Sequence, residues 1–214
     1  MAARQLQKSF VGEGLACRRG ERRVFRNVAF SLTPGDALVL GGPNGSGKTS
    51  LLRLMAGLAH PEEGRIVWDG AAIADDPAVH RTRTHYVGHQ DAVKLALTAE
   101  ENLVFWAKMR GGGDAAAALR RFRLDPRATW PARYLSAGER KRLGLARLLA
   151  SPATLWLLDE PTTSLDTESI AILLAAIAEH RRDGGCIAVA THAPLNLPEA
   201  RALSLAEYTT WRQA

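Results

Sequence analysis

Gly42-Pro43-Asn44-Gly45-Ser46-Gly47-Lys48-Thr49 is the stretch on which the reading of this chain turns. It sets glycine, four free positions, glycine, lysine and threonine in the order of a phosphate-binding loop. Ahead of it, Pro34-Gly35-Asp36 signals a turn. Ala37-Leu38-Val39-Leu40 then forms a continuous apolar run, as a parallel strand buried on both faces requires. After the loop, Leu51, Leu54, Met55 and Leu58 fall at i, i+3, i+4 and i+7, the spacing of one helix face. The pattern therefore predicts strand, loop and helix in succession. In that setting the glycines let backbone N–H groups wrap phosphates, and the helix N-terminus adds a favourable dipole. Gly42, Pro43, Asn44, Gly45, Ser46, Gly47, Lys48, Thr49 and Ser50 are the predicted nucleotide-binding residues. Lys48 is expected to reach the β- and γ-phosphates of ATP, and Thr49 to ligate Mg²⁺.

The remaining composition suits one compact domain with room for an inserted subdomain. The chain has 214 residues, of which 46% are hydrophobic, enough for a real core. Cys17 and Cys186 lie far apart without metal-ligand spacing and read as reduced thiols. Residues 1–10 are polar and hold no apolar signal core. The longest apolar stretch, residues 170–178, has nine residues and belongs to an amphipathic helix, so no membrane span is expected. A net charge of +6 and a pI near 9.8 suit an anionic partner: nucleotide, lipid surface or nucleic acid. A solvated basic surface accounts for the same charge.

Further along, apolar runs alternate with helical periods. Residues 11–33 read as short strands around the basic turn Arg18-Arg19-Gly20-Glu21-Arg22-Arg23. Residues 64–70 read as a short antiparallel strand between glycines, and Tyr86-Val87-Gly88 as a strand leading to Gln90. From residue 98 to about 123 the pattern is helical, interrupted at Gly111-Gly112-Gly113. Residues 136–149 and 167–182 are predicted helices. Leu155-Trp156-Leu157-Leu158 and residues 186–190 are predicted buried strands. Alternation of this kind implies a parallel α/β sheet.

Chemistry with a Mg·nucleotide needs carboxylates near the loop. Asp159 ends a buried strand, where open α/β sheets bind ligands, and is placed to hold Mg²⁺ through water. Glu160 follows and would face the γ-phosphate as the base that takes a proton from the attacking water. Leu135-Ser136-Ala137-Gly138-Glu139 opens a helix. Ser136 with Glu139 three residues on makes a capping box, and the same helix N-terminus suits a phosphate from another molecule. The two readings are compatible.

Taken together, these motifs resemble the ATP-binding subunits of ABC transporters, in family order from about residue 11 to 205. The resemblance implies a P-loop NTPase α/β core with a mostly parallel sheet, an antiparallel β subdomain and an inserted α-helical subdomain at about residues 91–140, all within one domain spanning 1–214. Residues 42–49 look like the phosphate loop. Gln90 resembles the glutamine that touches Mg²⁺ or water and senses the membrane subunit. Residues 135–139, with Ser136 and Gly138, look like the signature that contacts a γ-phosphate in trans. Asp159 and Glu160 resemble the second acidic motif and catalytic glutamate, and Ser164-Leu165-Asp166 the loop at the dimer seam. His192 resembles the switch histidine. The implied catalytic residues are thus Glu160, His192, Lys48 and Gln90, and the implied Mg²⁺ ligands Thr49, Gln90 and Asp159. The signature usually has glycine and glutamine where Ala137 and Glu139 stand, so Glu139 is expected to set a negative charge near the partner's nucleotide. The family usually stacks an aromatic ring on adenine. Arg19 stands at that place, and a guanidinium can stack on a base.

Within the family, Gly88-His89-Gln90, residues 97–103, Leu135-Ser136-Ala137-Gly138, residues 153–161, and Thr191-His192-Ala193-Pro194-Leu195 are similar to the branch serving cytochrome c maturation. That likeness implies a homodimer of ATPase subunits on integral membrane permease subunits, peripheral to the cytoplasmic face of a bacterial inner membrane. Haem would be handled by the complex rather than by this chain, which has no Cys-x-x-Cys-His motif and no histidine pair at ligand spacing. No direct nucleic-acid partner is implied. The rival readings are the ATPase of an efflux or lipoprotein-release transporter, and a soluble ABC ATPase acting on DNA or ribosomes. The second usually needs fused units or long coiled coils, which the sequence does not show.

Overall fold

A computed structural model describes residues 9–192 and 195–209. Two sheets form its frame. Strands β1 (Phe10–Arg19) and β2 (Arg22–Leu32) make an antiparallel hairpin across the turn at Gly20 and Glu21. Next come β3 (Ala37–Gly41), α1 (Lys48–Met55), β4 (Glu63–Trp68) and β5 (Ala71–Ala72). They are followed by α2 (Pro77–Arg83), β6 (Thr84–Val87), α3 (Ala99–Met109), α4 (Ala115–Arg121) and α5 (Ala137–Ala150). The chain continues through β7 (Leu155–Asp159), α6 (Thr167–Arg182), β8 (Cys186–Ala190) and β9 (Arg201–Ser204). The antiparallel sheet runs β2-β1-β4-β5, and the second sheet runs β6-β7-β8-β3-β9 with every pair parallel.

Parallel strands bring their C-terminal ends to one edge. There β3 runs into the phosphate loop, β6 into residues 88–90, β7 into Glu160 and β8 into His192. The spatial order β6-β7-β8-β3 makes these four ends neighbours, although they are scattered over 150 residues of sequence. A crossover helix between parallel strands is what gathers them.

The central strands are held from both sides. Leu155 and Leu157 of β7 pack with α1 and the hairpin, while Trp156 and Leu158 pack with α3, α5 and α6. In β8, Cys186, Ala188 and Ala190 take the first side, and Ile187 and Val189 the second. This period of two explains why both strands read as unbroken apolar runs. Each leucine fully buried in this way contributes about 1.5–3 kcal/mol.

The predicted helix after the loop is one turn shorter than its apolar spacing suggests. Leu51, Leu54 and Met55 are buried, but Leu58 is half exposed, because Gly57 at φ 65° takes the chain out of the helix. Helix α2 and strand β9 had no counterpart in the sequence reading. Helix α2 is one short stretch behind Pro77, capped by Asp76, and β9 is a half-polar edge strand. Neither carries a clear period. The helices predicted over 98–123 are α3 and α4, both opened by side-chain caps, Thr98 and Asp114.

Candidate active site

At the strand-end edge, Asn44, Gly45, Gly47, Lys48, Thr49 and Ser50 line a cleft of about 520 Å³. Arg19, Asp159, Glu160 and His192 line the same cleft. Gly47 takes φ 102°, and a Cβ there would fall 2.6 Å from Val24 Cγ1 and 2.7 Å from Phe25 Cδ1. Only glycine lets the loop press onto the β1–β2 hairpin at this point. Ser46 is buried behind the loop.

Lys48 Nζ donates to the Gly42 carbonyl at 2.7 Å and the Pro43 carbonyl at 3.3 Å, and stands 3.2 Å from His192 Nε2. Burial draws the Lys48 ammonium below its ordinary value, against the pull of Glu160 and Asp159. The His192 backbone N–H donates to Glu160 Oε2 at 3.3 Å, and His192 Nε2 lies 3.5 Å from Glu160 Oε1. Glu160 holds φ 48°, a left-handed conformation that costs a side-chain-bearing residue about 1–3 kcal/mol. The strain turns the carboxylate at the end of β7 towards the end of β8. Lys48, Glu160 and His192 thus form one cluster of a cation, an anion and an imidazole.

Asp159 is 2% exposed, and its Oδ2 has no hydrogen-bond partner among the described residues. A buried carboxylate oxygen without a donor is costly unless a cation meets it. With the Thr49 hydroxyl in the same cleft, the oxygen donors fit a hard ion such as Mg²⁺. No group of three or more His, Cys, Asp or Glu stands ready to hold a metal among the described residues. An ion here would share its coordination with a ligand's oxygens.

Gln90 lines a neighbouring cleft of about 800 Å³, which shares Thr49, His89 and Asp159 with the first. Ser136 and Gly138 line neither cleft. They open α5 on the surface, where Ser136 Oγ accepts from Glu139 N–H at 3.2 Å, and a Cβ on Gly138 would meet the Ser164 carbonyl at 3.1 Å. Glu139 is engaged in its own helix cap. Its Oε2 accepts from Ser136 N–H at 2.8 Å and its Oε1 from Arg127 Nε at 3.4 Å. The backbone N–H of Ser136, foremost, and Arg127 hold this carboxyl below its usual range, so it is an anion turned back into its own helix cap. Arg22, Val24 and His89 also line the first cleft and were not singled out in the sequence. The hairpin register, which pairs Arg19 with Arg22, is the signal that could have found Arg22. Ala193 and Pro194, quoted for the family likeness, lie outside the described residues, as do residues 1–8 and 210–214.

A family model described as ABC transporter matches residues 25–163. The chain belongs to the ABC transporter family. Among ABC relatives, the cytochrome c biogenesis ATP-binding export protein CcmA of Rhodospirillum rubrum is 54% identical over 198 residues, covering 92% of this chain and 85% of that one. The protein of the same name from Paramagnetospirillum magneticum is 52% identical over 206 residues, covering 94% and 95%. A solved ATP-binding subunit of an ABC transporter superposes with a TM-score of 0.78 at 28% identity, covering 86% of this chain and 79% of that one. A solved chain from Pyrococcus furiosus, described as an ABC transporter ATP-binding protein, reaches a TM-score of 0.81 at 22% identity, with 94% and 100% covered, and shares the fold. The ABC fold therefore accounts for both sheets and for the gathering of the motif residues at one edge.

Proposed function

We propose that this chain is the Mg²⁺-dependent ATPase subunit of an ABC complex acting in c-type cytochrome biogenesis, and that its cycle drives export or release of haem or a haem-chaperone adduct. One observation carries the reading. The loop, Asp159, Glu160 and His192 meet in one cleft of a chain more than half identical, over nine-tenths of its length, to a cytochrome c biogenesis ATP-binding export protein. We treat 1–214 as a single ATPase domain, with residues 91–140 as its helical subdomain.

On binding a triphosphate, Lys48 Nζ exchanges the Gly42 and Pro43 carbonyls for β- and γ-phosphate oxygens, while the loop N–H groups and the start of α1 take the remaining charge. Thr49 and Asp159, with Gln90 from the adjoining cleft, would hold Mg²⁺, which would supply positive charge to offset that of the phosphates. Glu160 takes the proton of the attacking water, and His192, fixed between Lys48 and Glu160, donates to the γ-phosphate. Arg19 lies against the base. The exposed Ser136 and the half-buried Gly138 supply the γ-phosphate contact to a second copy, so that the working form is a homodimer with two composite sites. No helix among the described residues is long and apolar enough to cross a membrane. The likeness to the export proteins favours separate integral membrane subunits as partners, with this chain peripheral on the cytoplasmic side of the inner membrane.

The test is complementation of a bacterium lacking its own cytochrome c biogenesis ATPase. The wild-type chain restores haem-stained c-type cytochromes, and Glu160→Gln does not, while its ATPase rate falls at least ~100-fold with ATP binding retained. Near-normal turnover by Glu160→Gln removes it as the base. Full ATPase activity without restored cytochromes favours an efflux or lipoprotein-release role.

A further inference from the structure

Lys141 lies on α5, five residues after Ser136, and is 3% exposed. Its Nζ stands 4.0 Å from Asp91 Oδ1, and Asp91 directly follows Gln90. One turn further along the same helix face, a Cβ at Gly144 would come within 3.7 Å of that same oxygen. The 141/144 face of α5 therefore packs on the residue beside Gln90. Lys141 also feels Asp159 and Glu160. Burial pulls its ammonium below the ordinary value, and the three carboxylates, Asp91 foremost, oppose that shift, while Arg147 on the same helix adds to it. One enclosed cation is thus shared by three pieces of the site: the Gln90 segment, the helix that opens at Ser136, and the corner after β7.

Among the described residues, Asp91 is the one carboxylate within ion-pair distance of Lys141. An enclosed ammonium so thinly paired is expensive, and an apolar side chain of similar size would hold the helix at least as well. Stability gives no reason for the charge. We infer that Lys141 is a positioning residue: through Asp91 it ties the Gln90 segment to the helix presenting Ser136, so that the two move together relative to Asp159 and Glu160. The inference rests on the ATPase reading above. Lys141 touches no substrate. It acts through Asp91 on the neighbouring Gln90, which lines the second cleft together with Thr49 and Asp159.

The experiment is steady-state ATP hydrolysis by the full chain, with affinity for a fluorescent ATP analogue and thermal melting measured alongside. Lys141→Met and Asp91→Asn each lower kcat about tenfold with KM and analogue affinity within about twofold, since small misplacement of a group acting on the reacting phosphate is felt in rate. The double variant loses no more than the weaker of the two singles, as a shared contact demands. Lys141→Arg keeps kcat within about threefold of wild type, and Lys141→Met melts no lower than wild type. Undiminished kcat in both single variants, multiplied losses in the double, or a kcat loss matched by a fall in melting temperature overturns the inference. Should Lys141→Met fail to fold, Asp91→Asn, whose side chain is partly exposed, decides alone: an unchanged kcat overturns the tether and a tenfold loss sustains it. Absence of turnover in the wild-type chain would instead sink the ATPase reading, and the tether with it.

Discussion

The cleft at the strand ends and the first turn of α5 belong to the same chain but differ in what they lack. In the cleft, four strand ends converge, Lys48 already touches His192, and buried oxygens, Asp159 Oδ2 and Glu160 Oε1 among them, are left without a hydrogen-bond partner. At the head of α5, every local demand is met: Ser136 and Glu139 cap each other, and Arg127 closes on Glu139. Yet this satisfied turn exposes Ser136 and Ala137, and it lines neither cleft. A site that is incomplete inside and a helix end that is complete but faces outward differ in what each needs from a second molecule. The first needs a ligand, and the second needs only a surface to meet. Pre-organising Ser136 through its own cap leaves its hydroxyl hydrogen free to donate, at no reorganisation cost when a phosphate arrives.

The sharpest way to break this contrast is Ser136→Arg. A long cation on the outward turn leaves the cleft untouched, so the isolated chain should bind ATP within about twofold of wild type. The ATP-dependent dimer should vanish in light scattering, and turnover should fall by about 100-fold, as loss of an anion-stabilising donor typically does. A normal dimer in that variant would mean that the two regions do not meet across copies.

How much of this was legible in the sequence follows the same divide. The loop, the Asp159 corner and the His192 strand end were readable because burial on both faces writes β3, β7 and β8 as uninterrupted apolar runs ending in chemistry. The capping box at Ser136 was readable because capping is local. What the sequence hides is direction. The spacing of Ser136 and Glu139 gives the cap itself, but not that the same carboxylate also takes Arg127, twelve residues upstream in another turn. Nor does periodicity mark β9, whose alternation is blurred at the sheet edge. The Asp91–Lys141 contact joins segments fifty residues apart, and only the packing of α5 brings it to view.

A smaller effect separates base from phosphate within the cleft. Of the arginines around the hairpin turn, Arg18, Arg23 and Arg26 are engaged by Glu62 and Glu63, whereas Arg19 has no ion pair among the described residues and lines the cleft. Arg19→Ala should weaken ATP about three- to tenfold, the range of a guanidinium stacked on a ring. It should leave tripolyphosphate binding, which lacks a base, unchanged in isothermal titration. Equal losses for both ligands would place Arg19 on the phosphates and make the cleft a purely anionic receptor.

The smallest expected change tests whether the helix end is as self-contained as its geometry indicates. Glu139→Gln removes the charge but keeps a side-chain oxygen for the Ser136 N–H, so the cap survives. What is lost is the partly exposed Arg127 pair, of a kind worth about 0–1 kcal/mol, or a few degrees of melting temperature at this size. If the carboxylate faced a partner's triphosphate instead, a unit charge ~8 Å away at an effective dielectric near 20 would repel each phosphate charge by about 2 kcal/mol, more than tenfold in affinity. The two arrangements therefore differ by an order of magnitude in one measurement. A KM for ATP within about twofold of wild type follows from a carboxylate spent on its own cap, and a tenfold drop in KM would show that Glu139 swings outward when two copies close on the nucleotide.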